Sequence, residues 1–224
     1  MPTIQDLEIP STTVNPGDGS PDDQCFLPGS LILTDRGEVA IEQLKIGDRV
    51  QTANGATLPI KWIGRRTVDP EQVRNPLRSF PICVKAGALG AGLPRRDLYV
   101  SPDHALLVDD LLINAGALVN GTSIVKTEPS DVFTYYHVEL DTHELLVVEG
   151  CYTESYLPQR EDRHCYDNSD EFDALYPNQR RIILWPLEYP RVSSTTTVPR
   201  YVYKRLTSIS SGLGEMAHEE VAAV

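Results

Sequence analysis

From Leu31 to Gly150 the sequence breaks its apolar runs with a turn signal about every 8–12 residues, too often for helices of ordinary length. Leu31 to Thr34 and Glu38 to Ile41 flank Asp35-Arg36-Gly37. Arg49 to Thr52 and Thr57 to Ile63 flank Asn54-Gly55, a pair suited to the positive φ angles of a tight hairpin. Ala105 to Val108 and Leu111 to Asn114 fold back across Asp109-Asp110. Pro81 to Ala86, Leu98 to Ser101 and Ser123 to Lys126 read as further strands. Val132 to Leu140 alternates, and His143 to Val148 is β-branched and apolar until Gly150 interrupts it. Ile41 to Leu44 has room for one helical turn before Gly47, while Val68 to Ser79 and Gly87 to Arg96 read as loops. The expectation is an all-β domain with almost no helix of normal length.

The flanks differ in character. Met1 to Gln24 is rich in Pro, Ser, Thr, Asp and Gly and reads as a flexible leader. Beyond Leu157, Arg160 to Asp173 is charged, with a short helix expected to be capped by Ser169. Arg181 to Trp185 and Arg200 to Tyr203 look strand-like, and Ser208 to Val224 reads as a mobile or weakly helical tail. The expected division is a leader over 1–24, a β-domain over 25–157, and a C-terminal extension over 158–224 with no assigned role.

A net charge of −12 argues against nucleic acid or an anionic membrane as partner, and the pairs Arg65-Arg66, Arg95-Arg96 and Arg180-Arg181 are too small for phosphate recognition. No apolar run approaches a membrane-spanning length. Met1 is not followed by a basic and then an apolar stretch, so no signal peptide is expected; the location is cytoplasmic, or exported as part of a longer protein. The four cysteines, Cys25, Cys83, Cys151 and Cys165, form no C-x-x-C, so neither a disulfide framework nor a metal or other cofactor is expected.

Single cysteines and histidines are more often structural than catalytic. Their setting is informative here. Cys25 follows Asp22-Asp23-Gln24 and opens Cys25-Phe26-Leu27-Pro28-Gly29-Ser30, and Ile41 to Val50 follows. Val100-Ser101-Pro102-Asp103-His104 and Tyr135 to Leu145 come later, then Glu154-Ser155-Tyr156-Leu157. Together these blocks resemble the Hint (hedgehog/intein) superfamily, and most of all its bacterial Hint subgroup. The likeness runs from Cys25 to about Leu157: Ser101 and His104 stand in the Thr-x-x-His block, and His143 in the late His position.

The resemblance implies a Hint-type horseshoe of short strands whose ends meet near the cysteine. It also implies self-processing at the Gln24–Cys25 bond. Cys25 attacks its own upstream carbonyl through a five-membered ring, which converts the amide into a thioester. His104 is the matching acid for the departing nitrogen, and Ser101 hydrogen-bonds the same peptide. The thiol needs a base, since a free thiol is only a few per cent ionised at neutral pH. The family often has an aspartate where this chain has His137, so His137 and Asp141 are both candidates. His143 would assist the second step.

That second step differs from splicing. The place of the intein's terminal Asn falls on or near Ser155, so ligation of flanking parts is disfavoured. Water or a small external nucleophile would resolve the thioester, with the chain's own N-terminal flanking peptide as substrate. Cys151 is a candidate secondary thiol acceptor. The alternative reading is a catalytically degenerate Hint-shaped module with a structural or binding role.

Overall fold

The computed structural model describes residues 24–158, 162–179 and 184–222. Its first hairpin pairs β1 (Leu31–Thr34) with β2 (Gly37–Ala40), and Gly37 takes φ 97° where the chain reverses. The second pairs β3 (Arg49–Gln51) with β4 (Thr57–Pro59) around Asn54-Gly55, as its turn residues led one to expect. Next come β5 (Trp62–Val68), β6 (Ile82–Val84) and β7 (Leu98–Val100). Between β8 (Ala105–Val108) and β9 (Leu111–Asn114), Asp109 and Asp110 both adopt positive φ, 51° and 60°, the mirror-image turn that suits strand twist. The series ends with β10 (Ile124–Lys126), β11 (Phe133–Glu139), β12 (Leu145–Val148), β13 (Cys151–Glu154) and β14 (Arg191–Val192).

Among the described residues these strands form three sheets. The largest runs β14-β9-β8-β13-β12-β1-β3-β4, with β2 paired to β1, and does not close into a barrel. The other two are β10-β6-β7 and the ribbon β11-β5. The segment that begins with Gln24 joins the two smaller sheets. Phe26 exchanges backbone hydrogen bonds with Tyr136 on β11 (2.8 and 2.9 Å), while Leu27 N–H donates to Tyr99 O on β7 (3.1 Å). Phe26 is buried in the main core with Ile32, Val100, Leu106, Leu140 and Leu146. Burying a side chain of this size stabilises the fold by about 1.5–3 kcal/mol, which holds the neighbouring Cys25 in place. The far end of the β-domain returns to the same spot: Leu157 N–H donates to Gln24 Oε1 at 3.0 Å.

The chain is all-β in its first part, but the C-terminal part departs from expectation. After α1 (Pro76–Ser79), inside the segment read as loop, come α2 (Ser169–Leu175) and a long α3 (Arg200–Ala222). Arg200 to Tyr203 is therefore the first turn of a helix and not a strand. Val202, Leu206 and Ile209 recur at helical spacing and pack on the core, an attraction that outweighs the local Tyr-Val-Tyr alternation. Ser169 is the first residue of α2 and does not cap it. Asn168 precedes the helix, its side chain bound instead to Arg65 N–H and Ile63 O. Of the expected strand Arg181 to Trp185, residues 181–183 lie outside the described residues, and the remainder has no strand pairing. Residues 1–23 of the expected leader also lie outside, whereas Gln24 is buried. Beyond Leu157 the chain packs into the fold: β14 extends the large sheet beside β9, and Tyr166 and Phe172 pack on buried Trp62. Among the described residues no helix is long and apolar enough to cross a membrane.

Candidate active site

Cys25 is fully buried, and its Sγ lies 2.9 Å from Nε2 of His137. The alternation of β11 accounts for that aim: Tyr135 and His137 turn inward while Tyr136 uses its backbone to hold Phe26. His137 pairs in register with Gly64 on β5. A side chain at Gly64 would sit 2.8 Å from the Trp62 ring and 3.1 Å from the Tyr166 ring, so its absence admits the aromatic cluster. Tyr156 and Tyr166 both meet the His137 ring edge-to-face, and the Tyr166 hydroxyl also contacts Nε2. Burial pushes the His137 imidazole well below its ordinary range, helped by the charges of His104 and Arg66. It is therefore neutral near pH 7, the form that accepts a proton.

The peptide nitrogen of the same cysteine is held from the β7–β8 turn. Cys25 N–H donates to Ser101 Oγ at 2.9 Å, and Ser101 N–H returns a bond to Cys25 O at 3.0 Å. His104 Nδ1 lies 3.1 Å from that carbonyl oxygen and donates to it, with its ring against Phe26. The His104 Nε2 faces the Glu154 backbone outside hydrogen-bonding geometry. Burial lowers the His104 imidazole to about 4, against the opposing pull of the Glu154 carboxylate.

Glu154, at the end of β13, braces the segment behind His104. Its carboxylate accepts from Ala105 N–H at 2.8 Å and from both terminal nitrogens of Arg191, at 2.7 and 2.8 Å. Burial alone would raise the Glu154 carboxyl, but His143 and Arg191 outweigh it and hold it at about 2. His143 lies on this group and not on the thiol: its Nε2 is 3.4 Å from Glu154, and its Nδ1 accepts from Leu187 N–H.

The remaining candidates are placed elsewhere. Asp141 is exposed and 3.7 Å from Lys61 Nζ, so of the two candidate bases only His137 meets Cys25. Ser155 exchanges two hydrogen bonds with the Glu144 backbone, one of them through Oγ. Cys151 is buried opposite Val148, and burial lifts its thiol to about 12.

The structure adds groups that sequence reasoning did not assign. The block Glu154-Ser155-Tyr156-Leu157 was visible as a signature, and its tasks are now apparent: brace, turn, ring cover and Gln24 contact. Tyr166 and Arg191 had no such signal, because each meets its partner only through tertiary folding.

The Hint domain family matches residues 24–160. No curated protein matches. Among solved structures, the bacterial intein-like domain from Clostridium thermocellum aligns with TM-score 0.44 and 18% identity over 60% of this chain and 99% of its own. A DnaB intein from Synechocystis sp. PCC 6803 aligns with TM-score 0.40 and 14% identity, over 58% and 98% respectively. Since the family match spans more than half of the sequence, this chain belongs to the Hint domain family.

Proposed function

We propose that the chain cleaves itself at the Gln24–Cys25 peptide bond without splicing. One observation carries this reading: the cysteine that has His137 on its sulfur also has Ser101 on its peptide nitrogen, each at 2.9 Å. Sγ attacks the Gln24 carbonyl carbon while its proton passes to His137 Nε2. The C–N bond then breaks, and the nitrogen gains a proton through His104, held at the same residue, which recovers it in turn from His137, so that both rings end neutral. The net result moves one proton from sulfur to nitrogen and leaves a Gln24 thioester on Cys25 with a free amine. Water adds to the thioester, which releases an upstream peptide ending in a Gln24 carboxylate and restores the thiol.

Because attacker and target share one linkage, proximity supplies much of the acceleration. Ser155 has no carboxamide with which to cyclise, and its hydroxyl is engaged by Glu144, so no downstream cleavage or ligation accompanies the reaction. His143 acts on this chemistry through Glu154, which holds the backbone beside His104. Intact mass of the purified chain, with and without dithiothreitol, tests the reading. The expected result is loss of the upstream segment from wild type, faster with the thiol, and none from Cys25→Ala. Wild type and Cys25→Ala that both stay full length under both conditions would refute it.

A further inference from the structure

His137 has an unusual set of partners. Nδ1 is buried with no hydrogen-bond partner, so this nitrogen does nothing to orient the ring. All its polar contacts converge on Nε2, where Cys25 Sγ and the Tyr166 hydroxyl arrive together. A ring nitrogen has one lone pair or one proton, and serves one linear partner well at a time. While the imidazole is neutral, Nε2 can receive the thiol proton. Once it has that proton it becomes a donor and needs an acceptor. If the new thiolate fills that role, the electron pair needed for attack stays engaged. The phenol oxygen of Tyr166 is the other acceptor in place.

We propose that Tyr166 is a positioning residue of this site, taking the hydrogen bond from Nε2 after His137 has removed the Cys25 proton and so freeing the thiolate to attack. The inference rests on the self-cleavage reading above and deepens it. Tyr166 lies beyond the matched region 24–160, so the chain after the β-domain supplies part of the site. Its ring is fixed for the task by Trp62 (edge-to-face, centroids 5.3 Å apart) and Tyr156. The backbone nearby is pinned as well: Asp167 N–H donates to Arg65 O at 2.7 Å, and the Asp167 carboxylate receives Thr67 N–H and Oγ1–H. The polar and charged groups around His137 are Cys25 from the entering segment, Tyr156 and Tyr166 from the chain that follows β13, His104 from the β7–β8 turn, and Arg66 on β5.

Tyr166→Phe in the full chain tests this, since it keeps the ring and its packing and removes only the hydroxyl. Nitrogen-15 NMR of labelled histidines reports the protonation and bonding of Nε2 without relying on cleavage, and intact mass gives the cleavage rate. The expected result is a moved His137 Nε2 signal at neutral pH and cleavage slowed about tenfold, the kinetic counterpart of one charge-assisted hydrogen bond. Unchanged His137 signals, or cleavage at or above the wild-type rate, would overturn the proposal. If wild type does not cleave at all while Tyr166→Phe still moves the His137 signals, the cleavage reading falls and the Tyr166–His137 pairing stands.

Discussion

Acidification between pH 6.5 and 4 should remove a large and assignable part of this protein's stability. His104 is fully buried, and its imidazole is lowered from 6.5 to about 4. Below pH 6.5 the unfolded chain therefore binds a proton that the folded chain refuses. The stability associated with this group is complete above 6.5, is lost as pH falls, and stops changing below about 4, where the folded ring also protonates. The shift corresponds to about 3 kcal/mol over that interval, a large share of a typical domain's total. His137, also pushed down by burial, adds to the loss in the same direction. Glu154 opens a second window: its carboxyl is lowered from 4.5 to about 2, so its contribution is complete above 4.5 and lost toward 2. Urea unfolding followed by tryptophan fluorescence at pH 7, 6, 5 and 4 (arbitrary working points) reads this out, since Trp62 is buried. The comparison is His104→Gln against its parent, both carrying Cys25→Ala to prevent cleavage. The variant should lose about 3 kcal/mol less than the parent between pH 6.5 and 4. Equal losses in the two proteins would refute the assignment to His104.

Asp141→Asn should leave cleavage within about twofold of wild type, whereas His137→Gln should slow it by about a hundredfold or more, the usual worth of a general base; intact-mass time courses decide, and the reverse ranking would make Asp141 the base. Arg191→Met should destabilise the fold by about 3 kcal/mol, because it strands the buried Glu154 carboxylate. The same change should raise the Glu154 titration from about 2 and slow cleavage by loosening the segment behind His104; urea unfolding midpoints and mass spectrometry measure both.

Local signals were enough for most of the β-domain. Asn54-Gly55 and Asp109-Asp110 set their hairpins through backbone preference alone, whereas the alternation of Val132 to Leu140 predicted the strand but left open whether His137 faces the interior or solvent. The same logic failed for Arg200 to Tyr203. A four-residue alternation there was overridden by a longer helical repeat, Val202, Leu206 and Ile209, which gains burial only because a core surface is available to receive it. The expected cap at Ser169 failed for a related reason, since Asn168 is recruited across the fold by β5.

What the residues determined alone is the chemistry on offer: a cysteine directly after a peptide bond, histidines at 104, 137 and 143, and a β framework able to gather them. The tertiary structure decided which of these meet. It put His137 on the sulfur, left Asp141 in solvent beside Lys61, turned His143 onto Glu154, and brought in Tyr166 from a stretch that reads only as charged with a short helix. The physical reason is that residue type and spacing set what a side chain can do, while burial and hydrogen bonding between strands far apart in sequence set its neighbours, and a proton moves only between neighbours.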